Sequence, residues 1–364
     1  MAELLPLITQ DGHQQAIIDF YGLEGGKLMI DGVLHYPKMS HVYGSDAMVH
    51  HGKDFGPDYT FSLQDIWVLN DQDLQQVKRW VAIVPIDHDP IPKVIIQKLK
   101  LAHRVVSYSK FGEKELKRVG INSTYIPHTV NTDIFKPEDK KMRKKAGGLP
   151  PDSFVIGMVA ANKDNPPRKS FQEVLEAFAV FLQKVPHAFL YLHTFPDFPG
   201  GFPIKAYAEF LGITNRVLYP DPYVMNFNTT KERMAMIYNT MDVLLLPSRS
   251  EGFGVPAIEA QACGVPVVVN DFVSMPELIK PGITGELTKV LHKQFDGILS
   301  YNAIPDPKSI YDCIMRIKQS DRARMGEEAR KWTVENYDTK RVFKEKWQPF
   351  LKLLGDELVK EESS

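Results

Sequence analysis

Cysteine is nearly absent: Cys263 and Cys313 are the only two in 364 residues, too few for a disulfide framework or a cysteine-rich metal cluster. Both fall in helix-like patterns, where a small buried side chain is their ordinary role. Long apolar runs are also missing, and nothing approaches the length that a membrane-spanning helix needs. The opening stretch MAELLPLITQDGHQQ has neither a positive leader nor an apolar core, so the expectation is a cytoplasmic protein without a transmembrane segment. An excess of one charge is lacking as well, since 44 basic and 45 acidic side chains nearly cancel. That balance excludes a global pull toward nucleic acid or an anionic membrane, and any basic site must be local. No repeat of fixed period occurs. No GxGxxG turn follows a strand-like run, because GMVAAN after FVI is not one; a dinucleotide-dependent oxidoreductase is thereby a remote alternative. His35, His41, His50 and His51 lie close in sequence but lack HxxxH or Cys/His spacing, so neither a bound metal nor another cofactor is expected.

What remains is the composition of a globular protein, 43% hydrophobic and 24% charged, long enough for two domains. The stretch KPEDKKMRKKAGGLPPDS at 136–153 is rich in charge, Gly and Pro. It marks a linker, taken as residues 137–153, whose lysines read as a solvated face. A first domain then covers 1–136, a second 154–336, and a last helix 337–364. Beyond the linker FVIGMVA, AFLYLHT, RVLYP, DVLLLPS and VPVVVN alternate with helical stretches. Strands apolar on both faces and separated by helices specify a parallel sheet covered on both sides. WVAIVPID, RVVSYS and STYIPH, with KVIIQKLKLA and FGEKELKRVG between them, suggest a first domain of the same α/β type. Ligands of such sheets bind at the carboxyl ends of the strands, so two such domains facing each other would make a cleft.

The loop SEGFGVPAIE (250–259) leaves the strand DVLLLPS and runs into a helix that Pro256 opens and Gly264 ends. Gly252 and Gly254 let backbone N–H groups approach a ligand, and a helix start favours an anion, with phosphate the natural guest. Glu251 and Glu259 flank that position, and acceptor-only carboxylates suit the hydroxyls of a polyol. A ligand with sugar, diphosphate and ribose in that order would satisfy both; helix capping by Glu251 and plain surface exposure of Glu259 is the alternative.

SEGFGVPAIEAQACGVPVVVND closely resembles the donor-site signature of retaining glycosyltransferases of family 4, which have the GT-B fold of two Rossmann-like domains. GMVAANKDNPPRKSFQEVLEAFAVF, TYIPHTVNTDIFKP and VSMPELIKPGITGEL are similar to three further segments of that family, and the likeness runs from about residue 80 to the end. The resemblance implies transfer of a sugar from a nucleotide-diphosphate sugar to an acceptor hydroxyl with retention, without a metal, the leaving diphosphate taking the acceptor's proton. It implies that Arg168 and Lys169 neutralise the diphosphate and that Gly252, Phe253, Gly254 and Val255 bind phosphate and sugar oxygens. Glu251 would contact the transferred sugar, Glu259 the nucleotide ribose, and the last helix would cross back to the first domain. Cations at a helix start oppose its dipole, which by itself hints at an anion beside Arg168 and Lys169.

His88, in VPIDHDPIP, follows a strand and resembles the first-domain histidine placed near the donor sugar. Base contacts would come from Asp221 to Tyr223. The chain departs from the family pattern at Asn162, where an arginine is common but the donor is still expected to bind, at Thr129 for glycine and at Asn131 for aspartate. Its start, LLPLITQDGHQQAIIDFYG, looks like the end of the first helix and the second strand, as though the first strand and glycine-rich loop were absent. An incomplete first sheet would leave an unpaired edge that a partner or a second copy could cover. A non-catalytic nucleotide-sugar binder or subunit derived from this family is therefore the main alternative to an enzyme. The acceptor, whether glycan, lipid, protein or small molecule, has no signature.

Overall fold

The computed structural model describes residues 3–20 and 23–363, so Tyr21 and Gly22, at the end of the stretch read as the first helix's end and the second strand, lie outside the described residues. The chain divides into two compact units, one of residues 1–86, 90–127 and 339–364, the other of 87–89 and 128–338. The boundary thus falls before the basic stretch 137–153, not within it. That stretch is built into the second unit: it forms the helix Lys140–Ala146, and Lys144 is buried, its Nζ 2.7 Å from Asp242 Oδ2 and 2.7 Å from the Ser153 carbonyl. A cation removed from water needs such partners, and here it acquires them from residues distant in sequence. The expected solvated linker is a docked helix.

The first unit opens with the helix Leu5–Gln10 and contains two sheets. In the smaller one, β1 (Ala16–Asp19) runs parallel to β3 (Val33–Pro37), and β2 (Leu28–Ile30) pairs antiparallel with β3. The other is all-parallel, in the order β4 (Thr60–Leu63), β5 (Trp80–Val84), β6 (Arg104–Ser107), β7 (Thr124–Tyr125). Among the described residues β1 and β4 each have a ladder partner on one side only. WVAIV in β5 is buried throughout, which explains its continuous apolar composition, and Ile18 of β1 packs against the same core as Trp80, Leu99 and Leu116. Residues of the last helix, Gln348–Glu362, belong to this unit, where the Tyr59 hydroxyl donates to the Leu354 carbonyl at 2.9 Å.

The second unit is built on a six-stranded parallel sheet of β8 (Phe154–Val159), β9 (Ala188–His193), β10 (Val217–Leu218), β11 (Val243–Leu246), β12 (Val267–Asn270) and β13 (Gly285–Thr288), in spatial order β10-β9-β8-β11-β12-β13. VLLL in β11 and VVVN in β12 are buried along their whole length, as central strands between two helix layers must be. Phe171, Phe178 and Phe181 of the helix Phe171–Lys184 pack on this sheet beside Ile310 and Ile314 of the helix Pro307–Gln319. Strand order reverses between β8 and β11, and crevices for ligands open at the carboxyl ends of strands at such a switch point. An antiparallel hairpin, β14 (Val290–Phe295) and β15 (Tyr301–Pro305), extends the unit; its mixed polar and apolar composition carries no strand signal.

Candidate active site

Two segments leave the switch point, the loop after β8 that carries Arg168 and Lys169 and the loop after β11 that carries residues 247–254. They are stitched together by backbone and side chain. Arg249 N donates to the Arg168 carbonyl at 2.8 Å, and Arg168 Nη1 donates to the Ser250 carbonyl at 2.6 Å. Lys169 Nζ is hydrogen-bonded to Glu251 Oε1, and Arg168 Nη1 lies 3.9 Å from Glu251 Oε2. Glu251 is buried and fixed from the other side by Ser248 Oγ, which donates to Oε1 at 2.9 Å, and by Ser274 Oγ, which donates to its carbonyl at 2.6 Å. Two cations and one carboxylate thus share a spot at the carboxyl ends of β8 and β11, and the Asp87 carboxylate acts on both cations as well. Burial pushes the Lys169 ammonium below the ordinary lysine range, against the pull of Glu251.

Ser170, which precedes the helix Phe171–Lys184, holds φ +60° and ψ +37°, a left-handed conformation that costs a side-chain-bearing residue about 1 kcal/mol or more. Strain sits next to Lys169. Glu173, one turn on, pairs with Arg249 Nη2 at 2.7 Å, and both side chains are buried, so the helix and the 247–254 loop are locked together. Sequence reasoning missed Glu173, Arg249, Ser248 and Ser274, because a pairing across 76 positions leaves no local pattern.

The glycine turn behaves as its composition requires. Gly254 takes φ +105°, and a Cβ there would lie 2.9 Å from Leu246 Cδ2 and 3.0 Å from Leu278 Cδ1. Gly252 is buried, and the Phe253 ring is buried edge-on between His128 at 5.3 Å and Tyr337 at 5.6 Å, so that Phe253 offers a ligand its main chain. Burial drives the His128 imidazole down to about 4, leaving it neutral at physiological pH. Val255 opens the helix Val255–Ala262, which closes through Gly264 at φ +70° with Val265 N donating to the Ala260 carbonyl at 2.9 Å.

Glu259, about one turn into that helix, has a different environment. The Tyr238 hydroxyl donates to its Oε2 at 2.7 Å, and burial raises the carboxyl to about 7, against this hydrogen bond and the charge of Lys231. His88 is paired through Nδ1 with its neighbour Asp87, whose carbonyl accepts from Ser250 Oγ, so residues 87–89 are tied to the same loop as Glu251. Burial opposes ionisation of Asp87, but the His88 hydrogen bond and charge, with that of Arg168, outweigh it and hold the carboxyl below the usual range. Asn162 is placed differently from a ligand-facing residue. Its side-chain amide donates to the carbonyls of Phe195 at 3.3 Å and Phe202 at 2.9 Å and accepts from Phe202 N at 2.8 Å, leaving no side-chain donor over. Asp221 caps the helix Pro222–Phe227 by accepting from Val224 N at 3.0 Å.

Among the described residues no group of three or more His, Cys, Asp or Glu is arranged to hold a metal ion, and no helix is long and apolar enough to cross a membrane. His35 pairs with Asp19 at 2.6 Å and His51 stacks on Tyr36 at 4.6 Å, so these two histidines have separate partners.

Residues 139–332 match the profile of glycosyl transferases group 1. The chain is 34% identical over 163 residues to D-inositol 3-phosphate glycosyltransferase of Mycobacterium leprae, and equally so to that of Mycobacterium bovis. Each match takes in 43% of the chain and 35% or 31% of the relative, so the chain spans about a third of the length of these curated relatives. In three dimensions it resembles sucrose-phosphate synthase from Thermosynechococcus elongatus, with a TM-score of 0.72 at 17% identity over 92% of this chain and 86% of that one. A glycosyltransferase from Rickettsia africae gives a TM-score of 0.69 at 17% identity over 98% and 93%. HepE of Anabaena, in complex with UDP and glucose, gives 0.67 at 16% over 89% and 86%. These likenesses make the fold α/β with two Rossmann-like units, of the GT-B class. The profile covers more than half of the chain, and the protein belongs to the glycosyl transferases of group 1.

Proposed function

We propose that the protein is an enzyme that moves a sugar from a nucleotide-diphosphate sugar to an acceptor hydroxyl, with retention at the anomeric carbon and without a metal. The observation that carries this reading is the cluster of Arg168, Lys169 and Glu251 at the switch point of a six-stranded sheet. Fixed positive charge there stabilises a leaving diphosphate, the usual task of a divalent cation in phosphate chemistry. The backbone amides of 252–255, at the start of the Val255–Ala262 helix, add donors for phosphate and sugar oxygens. HepE, of similar fold, binds UDP and glucose, which supports a donor of this class.

Glu251 accepts a hydrogen bond from the Lys169 ammonium. A donor diphosphate takes over that cation, which frees the Glu251 carboxylate to accept hydrogen bonds from the sugar. The bond between the anomeric carbon and the diphosphate oxygen breaks with its electron pair going to the diphosphate. The acceptor oxygen bonds to the same face of that carbon, and its proton passes to the leaving phosphate oxygen. His88, held by Asp87 next to Ser250, orients hydroxyls at the reacting end. Buried, unpaired Cys263 and Cys313 fit a reducing compartment, and we assign the activity to the cytoplasm.

The test is turnover of UDP- and GDP-sugars, donor hydrolysis included, by the parent and by Lys169→Ala. Loss of one preorganised electrostatic stabiliser lowers turnover by about 100- to 1000-fold. Nucleotide binding by the parent without transfer or hydrolysis of any donor would instead establish the non-catalytic binder.

A further inference from the structure

Glu259 is held by a residue that the donor-site signature does not contain. Tyr238 ends the helix Lys231–Tyr238, is fully buried, and has its ring packed 6.1 Å from that of Phe135. A buried phenol needs a hydrogen-bond acceptor, and the one it finds is Glu259 Oε2 at 2.7 Å. Glu259 is itself only half-buried, and Tyr238 occupies just one of its two carboxylate oxygens. An ionised carboxylate accepts from several donors, so Oε1 keeps capacity for hydroxyls arriving from solvent. We infer that Tyr238 is a positioning residue for the nucleotide: its hydroxyl orients the Glu259 carboxylate toward the ribose end of the donor, and binding of that end strengthens as Glu259 ionises. The inference rests on the reading of Glu259 as the ribose acceptor.

The charged surroundings fix the direction of that dependence. Burial raises the Glu259 carboxyl to about 7, while the Tyr238 hydrogen bond and the charge of Lys231, at the other end of the Tyr238 helix, pull it down. Just past the end of its own helix the neighbour is Cys263, whose thiol burial pushes up to about 12 and which is therefore neutral; Arg330, Glu138 and Lys140 act on that thiol from adjoining segments. Tyr238 is also raised by burial and by Glu259, so it stays a neutral donor throughout the working range. Glu259 is thus the group of this pair that changes charge near neutrality. Deprotonation turns it into an acceptor for ribose hydroxyls, and nucleotide affinity rises with pH through about 7.

The experiment is calorimetric titration of the full chain with UDP, GDP and inorganic pyrophosphate between about pH 6 and about pH 8.5. The terminal phosphates of UDP, GDP and pyrophosphate all ionise in this range, so the reading is the difference between them: the parent's nucleotide affinity should rise with pH more steeply than its pyrophosphate affinity, since pyrophosphate has no ribose. Tyr238→Phe keeps the ring, removes the hydroxyl and should weaken nucleotide binding at neutral pH by about five- to tenfold. Its step should move to higher pH, and its pyrophosphate affinity should stay that of the parent. Weakening of nucleotide and pyrophosphate alike would assign Tyr238 a purely structural role and overturn the inference. If Glu259→Gln weakens nucleotide binding while Tyr238→Phe matches the parent in affinity and pH profile, the positioning role alone is lost. If Glu259→Gln leaves nucleotide affinity intact, the ribose reading of Glu259 fails first. A Tyr238→Phe chain that does not fold leaves the parent comparison decisive, because a nucleotide step no larger than that of pyrophosphate contradicts the pH dependence directly.

Discussion

At the residue scale burial moves two of the site's ionisable groups, Lys169 and Glu259, away from their ordinary ranges. Lys169 is lowered by burial, so it loses its proton at a pH below that of a free lysine, and diphosphate affinity should decline on the alkaline side correspondingly early. A pyrophosphate titration carried to high pH reads this directly; a flat profile through the ordinary lysine range contradicts it. Glu259 carries a stability consequence as well. Its carboxyl titrates at 4.5 when unperturbed and near 7 in the fold, so between those values the folded state holds the extra proton and stability falls as pH rises. Above about pH 7 the penalty is fully present, and Glu259→Gln should stabilise the chain there by about 2 to 3 kcal/mol while weakening nucleotide binding. Urea unfolding near pH 8 and again near pH 4 checks this, since the gain should vanish at the acid end. Legibility at this scale was uneven. Glu251, Arg168 and Lys169 stand in sequence patterns and meet in space. Tyr238 and Glu173 do not stand in such patterns, because their importance comes from a partner on another element.

At the element scale the two loops of the switch point are shaped by backbone conformations that the sequence reveals in one case and hides in the other. Gly254 announces itself, since φ +105° and approaches of 2.9 and 3.0 Å to any Cβ at that position leave no other residue comfortable. Gly254→Ala should cost about 1 to 3 kcal/mol and misplace the amides behind Glu251, to be seen as a lower unfolding midpoint together with weaker nucleotide binding. Ser170 adopts φ +60° with a buried hydroxyl that has no hydrogen-bond partner among the described residues. Ser170→Gly relieves both and should raise stability by about 1 kcal/mol; an unchanged or lower unfolding midpoint would mean that the strain is compensated. The central strands were legible because WVAIV, VLLL and VVVN are apolar on both faces, a pattern that only a covered parallel sheet explains. The β14–β15 hairpin was not, since VLHKQF and YNAIP alternate too irregularly, with a bulge between Val290 and His292.

At the scale of the whole molecule, charge and composition told where to look but not where the units divide. Residues 137–153 have the makeup of a linker, yet Lys144 finds Asp242 and the helix docks, because a buried partner far along the chain outweighs local polarity. The division of the first unit into separate three- and four-stranded sheets had no signal in the sequence. The proposed mechanism gives the work of a metal to fixed cations and therefore predicts that turnover is indifferent to a chelator such as EDTA. Loss of turnover with EDTA, restored by a divalent cation, would contradict that part of the mechanism.

The most direct measurement is a calorimetric titration of the full chain with UDP, GDP and ADP, repeated with Lys169→Ala. Saturable binding of one nucleoside diphosphate is predicted, weakened by about tenfold or more when the Lys169 ammonium is removed. Absence of binding by all three, or binding to which Lys169 is indifferent, would contradict a nucleotide-sugar site at the carboxyl ends of β8 and β11.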